Sequence, residues 1–156
     1  MQWTNQRNGG FSRAEPEDLV RPVTEDGPFG SQTVNVAAPR SDPGSLLNWL
    51  ADLIRCHVEC PELGNGRWEV LQIGADCVFG IGFGATNGGH VIVLNNLSPT
   101  RRTVRLDPNL YCLEQAVDLF CDHPYPRLAD SEGKSVMSGY GYRWIRIFGD
   151  DLPPEA

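Results

Sequence analysis

The pattern of apolar and polar residues divides the chain into three stretches. Residues 1–41 are polar, rich in Gly and Pro, and keep neither the two-residue period of a strand nor the 3.6-residue period of a helix. A run of that length is uncommon in a compact domain unless it wraps around something or is partly disordered. Its opening, MQWTNQRNGGFS, places a Trp and a Phe on either side of an Asn-Gly-Gly turn. That composition is typical of the inside of a folded loop rather than of a chain terminus.

The second stretch predicts one amphipathic helix over residues 43–60. Asp42 is a suitable N-cap, Pro43 suits the first helical position, and Pro61 ends the run. Apolar residues recur at helical spacing at Leu46, Leu50, Leu53 and Ile54. The wide apolar face needs a partner surface.

The third stretch, residues 66–148, has the pattern of strands. The segments RWEVLQI, CVFGIGFG, GHVIVLNNLS, RTVRL, EQAVDLF and YGYRWIRIF are short, rich in β-branched and aromatic residues, and separated by turn signals. Asn87-Gly88-Gly89 is a strong hairpin signal between the second and third. The expected fold class is therefore mainly β, a small antiparallel sandwich or open barrel, with residues 149–156 as a tail.

Charge and cysteine content narrow the function classes. The chain has 13 Lys and Arg against 20 Asp and Glu, a net charge of −7, which argues against binding nucleic acid or an anionic membrane. The start resembles no signal peptide, so a cytoplasmic location is expected. Five cysteines without a secretory signal favour reduced thiols. Cys56 and Cys60 flank His57, but no second pair has ligand spacing, so no metal site is predicted.

No catalytic residue stands out along the chain. The carboxylates lie mostly in polar loops, no Gly-x-Ser-x-Gly motif occurs, and His123 lies in a loop without a positioned nucleophile. Gly80, Gly82 and Gly84 are followed by a strand instead of the helix that a dinucleotide site requires. They are expected to let a strand bend or approach another backbone.

Three aromatic residues near the end of the chain are candidates for stacking on sugar rings. Tyr140, Tyr142 and Trp144 alternate along the last predicted strand, which would place them on one face. Aromatic rings can pack on the apolar faces of pyranose rings. Packing between two sheets is the alternative explanation and the favoured one.

Several long segments together resemble one family. MQWTNQRNGGFS, RPVTEDGPFGSQTVNVAAPRSDPGSLLNWLADLIR, CPELGNG and GYGYRWIRI are similar to the C-terminal third of trehalose synthases. These are maltose α-D-glucosyltransferases of the α-amylase superfamily, glycoside hydrolase family 13. The resemblance runs from Met1 to about Ile147, and related α-glucosidases share Met-Gln-Trp and the closing strand.

The resemblance implies how the chain is organised. Met-Gln-Trp is an internal motif of the family, in a loop at the active-site end of a (β/α)8 barrel. Residues 1–62 would then be the last part of that barrel, with residues 43–60 as its final helix. Residues 66–148 would be the α-amylase-type C-terminal β-sandwich. Gln2 and Trp3 would lie near the substrate pocket, in a supporting role.

The family's catalytic Asp and Glu residues and its calcium ligands precede Met-Gln-Trp, so none maps onto this chain. The resemblance therefore implies no catalytic residue, no metal or cofactor in these residues, and no activity towards maltose from the chain alone. Three hypotheses follow. The chain is an inactive remnant with residues 1–41 disordered, the half of a split enzyme that binds a separate barrel chain, or a free-standing carbohydrate-binding module.

Overall fold

The structure, a computed structural model, describes residues 1–84, 89–107, 116–125 and 133–147. It divides into two compact units, Met1–Ile54 and Arg55–Ala156, with the boundary inside the longest helix. The assignment of residues 1–62 and 66–148 to two domains of a longer enzyme stays a prediction. Among the helices of the described ranges, none combines the length and apolar composition needed to cross a bilayer.

The unit Met1–Ile54 contains little regular structure. It has two short 3-10 turns, Arg7–Gly10 and Pro16–Asp18, and the helix α1, Ala37–Ser41. It also contains most of helix α2, Leu46–Val58. Because so little of its backbone is in helices or strands, most of its backbone polar groups need partners in loops.

Asn35 supplies several of those partners. It pairs with Gln2 in an isolated parallel bridge, and the next residue, Val36, donates its N–H to the Gln2 carbonyl at 2.9 Å. The Asn35 side chain donates to Ser31 O at 3.0 Å and accepts from Ala38 N at 2.9 Å. Gln2, Ser31, Asn35, Val36 and Ala38 thus have defined contacts, and the disorder that the remnant hypothesis expects for residues 1–41 stays a prediction.

Helix α2 begins at Leu46 rather than at the predicted Pro43. Ser45 is the residue that caps it, because its hydroxyl accepts the N–H of Asn48 at 3.3 Å. The predicted cap, Asp42, instead accepts the N–H of Gly44 at 2.9 Å and closes a local turn. An aspartate side chain can either cap a helix or close a local turn, so the sequence pattern located the helix but not its first residue.

The unit from Arg55 onward is a β-sandwich. After the short helix α3, Pro61–Asn65, come strands β1 (Arg67–Val70), β2 (Val78–Gly84), β3 (His90–Asn96), β4 (Arg102–Arg105), β5 (Ala116–Cys121), β6 (Lys134–Met137) and β7 (Tyr142–Ile147). One antiparallel sheet has the order β1-β2-β3-β7-β5, and β4 pairs with β6 in a second. The predicted antiparallel sandwich is therefore confirmed, with β6 as a strand that the pattern missed.

The hairpin between β2 and β3 pairs Gly84 with His90. Asn87 and Gly88, on which the hairpin prediction rested, lie outside the described residues.

The core lies between the two sheets. Its buried members are Ile73, Val78, Ile92, Leu94, Val104, Leu106, Met137, Ile145 and Ile147. Glycines occupy the inner positions of β2, and a β-carbon at Gly80 would lie 3.2 Å from side-chain atoms of both Ile73 and Leu94. The glycine-rich run thus allows close packing on this face, as the sequence indicated.

The sandwich encloses the charged side chain of Arg143. Arg143 is 2% exposed. Its Nε and Nη2 donate to the two carboxylate oxygens of Asp118 at 2.6 and 3.0 Å, and Nη1 donates to Ser135 Oγ at 3.1 Å. The guanidinium carbon lies 4.6 Å from the centre of the Tyr125 ring. These contacts join β7 to β5 and to β6 of the second sheet.

Removal of the carboxylate from this cluster is expected to destabilise the sandwich. Asp118→Ala should lower the free energy of unfolding by about 3 kcal/mol, because it leaves a buried guanidinium without its counter-charge. Urea unfolding followed by far-UV circular dichroism measures the change. Glu69→Ala, on the exposed strand β1, is the matched control and should stay within about 0.5 kcal/mol of the parent. Equal losses for the two variants would contradict the assigned role of Asp118.

Candidate functional site

The first ten residues close into a loop around the Asn-Gly-Gly turn. Asn8, Gly9 and Gly10 all have positive φ, at 55°, 61° and 78°. The Gly9 carbonyl accepts the N–H groups of Trp3 and Thr4 at 2.8 and 3.1 Å. A β-carbon at Gly9 would lie 2.9 Å from Gln2 Cγ, so both the φ angle and the close approach require glycine.

Gln2 is buried within this loop. Its side-chain Nε2 donates to the carbonyls of Thr24 and Phe29 at 3.1 and 3.2 Å. Both carbonyls belong to a loop that has no sheet or helix to satisfy them, so the amide holds residues 24–29 against the start of the chain. The structure gives Gln2 a supporting role in the loop. Its nearness to a substrate pocket stays a prediction.

Trp3 is held by its backbone, while its indole is exposed. Its N–H donates to the Gly9 carbonyl at 2.8 Å, and its own carbonyl accepts the N–H of Ala37 at 3.0 Å. The side chain is 57% exposed and does not line the cleft that the loop encloses. A direct substrate contact by Trp3 in a longer protein also remains a prediction.

The same loop encloses an open cleft of about 580 Å³. It is lined by Thr4, Gln6, Arg7, Gly10, Phe11, Ser12 and Arg13. Arg7 pairs with Glu15, which lies beyond the lining. The lining thus combines two guanidinium groups, hydroxyl groups and one aromatic ring.

The chemistry of this lining suits binding. Arg7 and Arg13 offer several N–H donors, Thr4 and Ser12 offer hydroxyl groups, and Phe11 offers an apolar face. These groups match a ligand that is rich in hydroxyl oxygens. The lining holds no carboxylate, imidazole or thiol, so it supplies no general acid, general base or nucleophile.

Asn8 is hydrogen-bonded to the segment that lines the cleft. It is 1% exposed, and its Nδ2 donates to the carbonyls of Ser12 and Ala14 at 3.2 and 2.8 Å. Its Oδ1 is buried without a hydrogen-bond partner among the described atoms. The two donated bonds fix the path of the segment that carries Phe11 and Arg13.

Arg7, Phe11 and Arg13 were not singled out from the sequence as binding residues. The available signal was an aromatic residue between two arginines, next to a glycine pair. Such a spacing is too common to indicate a cleft by itself. The positive φ angles at residues 8–10 and the two hydrogen bonds from Asn8 together shape the segment that carries these side chains.

The structure corrects the arrangement of the three aromatic candidates. Tyr140 is not in β7 but in the preceding turn, with φ of 54°. Tyr142 and Trp144 do share one face, where Phe120 packs between them at centroid distances of 5.1 and 5.8 Å. Ile145 and Ile147 occupy the opposite, core face, so packing between two sheets is also wrong for these rings. The turn glycine Gly141 separates Tyr140 from the strand.

The cysteine pair lies where α2 gives way to α3. Cys60 is 2% exposed, and burial together with the neighbouring Cys60 thiol raises the pKa of Cys56 to about 11. Burial likewise raises the pKa of Cys60, against the effect of the Arg146 guanidinium. Within the described ranges, no three His, Cys, Asp or Glu side chains come together as a metal-binding group.

Comparison with known proteins relates this architecture to carbohydrate-active enzymes. The chain is 33% identical over 154 residues to a trehalose synthase of Pimelobacter, covering 97% of this chain and 27% of that enzyme. It is 30% identical over 149 residues to a trehalose synthase/amylase of Mycobacterium tuberculosis, covering 94% of the chain and 25% of the enzyme. No protein-family model matches the chain.

The fold comparison agrees. A crystal structure of a trehalulose synthase superposes with a TM-score of 0.65 at 18% identity, covering 94% of this chain and 24% of that one. The fold is thus that of the C-terminal part of a glycoside hydrolase family 13 enzyme. The sequence relatives of the chain within that superfamily are trehalose synthases. It spans about a quarter of the length of the curated relatives that it matches.

The role of Gln2 can be tested by hydrogen exchange. Gln2→Ala should speed amide exchange in residues 24–31, because the variant removes the side-chain donor of the Phe29 carbonyl and leaves Thr24 O with the Ser31 N–H alone, at a cost of about 1–3 kcal/mol. Mass spectrometry of peptides from the labelled chain measures the rates. Trp3→Ala, which removes an exposed ring, is the control and should leave that segment unchanged. Unchanged exchange in Gln2→Ala would show that the amide does not hold the loop.

The raised pKa of Cys56 predicts a slow reaction with alkylating reagents. At pH 8 a thiol with a pKa of about 11 is thiolate in about one molecule in a thousand. Alkylation of Cys56 by iodoacetamide should therefore be about 100-fold slower in the folded chain than in urea. Mass spectrometry after timed labelling gives both rates. Similar rates in the two conditions would mean that the thiol is neither buried nor coupled to Cys60.

Proposed function

We propose that this chain forms the C-terminal part of an enzyme that interconverts maltose and trehalose by intramolecular glucosyl transfer. The observation that carries the proposal is the 33% identity to a trehalose synthase along 97% of the chain. A match of that extent includes both the opening loop and the sandwich. It therefore favours a common role for the two units in one enzyme.

Within that enzyme the opening loop would form one wall of the substrate site. The cleft lined by Arg7, Phe11 and Arg13 offers an aromatic face and several hydrogen-bond donors to a disaccharide. Gln2 and Trp3 would contribute by holding the loop in shape. The acid and the nucleophile of the double displacement would come from the rest of the enzyme.

The composition of the unit Met1–Ile54 supports dependence on a larger body. Its buried side chains are polar, at Gln2, Asn8, Ser31 and Asn35, and none of the chain's buried apolar residues belongs to it. Most of its large apolar residues are exposed instead, among them Trp3, Phe11, Phe29, Leu46, Leu50 and Ile54. A unit without an apolar core lacks the main stabilising term of folding.

Helix α2 presents part of that exposed surface as a stripe. Leu46, Leu50 and Ile54 recur every four residues and are 76%, 44% and 53% exposed. Residues four apart lie on one face of a helix, so the three form a continuous apolar row. We infer that this row packs on the remaining barrel of the enzyme, whether that barrel belongs to the same polypeptide or to a separate chain.

The 156-residue chain by itself is proposed to be inactive on maltose. A retaining glycosidase needs a carboxylic acid and a carboxylate nucleophile about 5–5.5 Å apart across the scissile bond. The cleft that faces a substrate has neither in its lining.

A free-standing carbohydrate-binding module is the second candidate function, and the exposed Tyr140 favours it. The proposed location of the enzyme is the cytoplasm.

Activity measurements test both parts of the proposal. The purified chain incubated with maltose should form neither trehalose nor glucose. Addition of the part of the Pimelobacter enzyme that lies outside the matched segment should restore trehalose formation, and that part alone is the control. Turnover by the chain alone would overturn the proposed inactivity. A mixture as inactive as its components would overturn the proposed complementation.

A further inference from the structure

The turn that precedes β7 holds an exposed tyrosine in a strained conformation. Tyr140 has φ of 54° and is 70% exposed. The left-handed region is sterically unfavourable for a residue with a β-carbon, and a bulky residue is rarely found there. Such strain persists only where surrounding contacts fix the backbone, and it is common at functional sites.

The buried side chain of Asn96 provides those contacts. Its Nδ2 donates to Thr100 O at 2.8 Å and to Ser138 O at 2.7 Å. Its Oδ1 accepts from the N–H and the hydroxyl of Ser98 at 3.1 and 2.8 Å. One amide thus ties residues 96–100 to the turn at residues 138–141.

Backbone contacts complete the support of this turn. The N–H of Tyr140 donates to Ser98 O at 2.8 Å, and the N–H of Asn96 donates to Gly141 O at 2.8 Å. Gly139 lies so close to Pro99 that a β-carbon would be 2.1 Å from the Pro99 carbonyl oxygen. The backbone that carries the Tyr140 ring is therefore fixed before any ligand binds.

A third loop, residues 121–125, meets the same turn. A β-carbon at Gly141 would lie 2.9 Å from Tyr125 Oη and 3.2 Å from Asp122 Oδ2. Asp122 accepts the hydroxyl of Tyr125 at 2.7 Å and pairs with His123 Nδ1 at 2.8 Å. Burial alone raises the pKa of Asp122, but the hydrogen bonds from Tyr125 and His123 outweigh it and hold the pKa below its usual value.

This network fixes the orientation of an exposed imidazole. Because an ionised aspartate only accepts hydrogen bonds, His123 Nδ1 carries the proton, and Nε2 is the acceptor of the neutral ring. The His123 side chain is 43% exposed and packs on Tyr125 with ring centres 4.1 Å apart. The loops at this end of the sandwich thus present an exposed aromatic ring and a fixed acceptor.

Those two features match the chemistry of a sugar. A pyranose has an apolar face of about the size of one aromatic ring, and its hydroxyl groups need fixed partners at the edge. A protein partner needs a wider apolar area. Among residues 96–100, Leu97 is the exposed large apolar residue beside the turn that carries Tyr140.

We propose that the loops of residues 96–100, 121–125 and 138–141 form a second carbohydrate-binding site, at which a glucose unit of an α-glucan stacks on Tyr140. The site uses none of the residues that line the cleft of the N-terminal loop and requires no catalysis. The choice of an α-glucan rests on the proposed function, whereas the preorganised loops are a property of this chain alone.

Binding of maltoheptaose to the full chain tests the site, measured by isothermal titration. Tyr140→Gly is the most informative variant, because glycine accepts positive φ without strain. It should unfold at the same or a higher urea concentration than the parent and yet bind at least about tenfold more weakly. Tyr140→Phe keeps the ring and should keep most of the affinity.

Trp68→Ala is the matched control, since Trp68 is an exposed aromatic residue, 67% accessible, on strand β1. It should bind maltoheptaose like the parent. Undetectable binding by the parent chain, or full affinity in Tyr140→Gly, would overturn the proposal. Equal losses in Tyr140→Gly and Trp68→Ala would also overturn it, by locating the ligand elsewhere. None of these measurements depends on maltose turnover, so the proposed function is tested independently.

Discussion

The enclosure of one guanidinium group determines much of the sandwich. Alternation along β7 directs Ile145 and Ile147 into the core, and the same alternation directs Arg143 inward. A buried cation needs a counter-charge and partners for its donors. The irregularity in β5 between Asp118 and Phe120 provides for this, because it leaves Asp118 facing Arg143 while Phe120 faces outward beside Trp144. The irregularity therefore places Asp118 on the core face of the sheet and Phe120 on the opposite face.

A chain of contacts links the buried Arg143 to the loops at the end of the sandwich. Arg143 lies over the Tyr125 ring, and Tyr125 in turn donates to Asp122. Asp122 accepts the N–H of Tyr142 at 3.2 Å, directly after the turn that carries Tyr140. The buried charge of Arg143 is thus linked by contacts to the loop whose polar groups are exposed to solvent. The unit Met1–Ile54 reaches a defined shape differently, through side-chain amides that bond loop carbonyls in place of secondary structure.

The sequence predicted those features that depend on periodicity and on strong turn signals. The strand pattern after Arg67 and the helical spacing from Leu46 identified the sandwich and α2, because both reflect which face is buried. Features that depend on one contact were missed. Asp42 and Ser45 are both good caps, and only the local turn at Gly44 decides between them. Tyr140 fits the alternation of β7, and nothing local reveals that Ser98 draws its N–H into a turn. The cleft residues were missed for the same reason, since positive φ at residues 8–10 and the hydrogen bonds from Asn8 shape the segment that carries them.

The two units differ in how completely their apolar and polar groups find partners within the unit, and this difference bears on function. The sandwich has an apolar core, a neutralised internal charge, and a second ion pair between Arg146 and Glu62, at 2.9 Å, that fastens α3 to β7. The unit Met1–Ile54 has many hydrogen-bonded loop carbonyls but exposes most of its large apolar side chains, among them Trp3, Phe11, Phe29, Leu46, Leu50 and Ile54. Hydrogen bonds specify the path of its loops, yet their net contribution is about 0.5–1.5 kcal/mol each, and apolar burial must supply the rest. A loop that is well specified and weakly stabilised is what a substrate-site wall requires when its support comes from a larger body. The sandwich needs no such support, which is why a binding role of its own is physically reasonable at the end where Tyr140 is exposed.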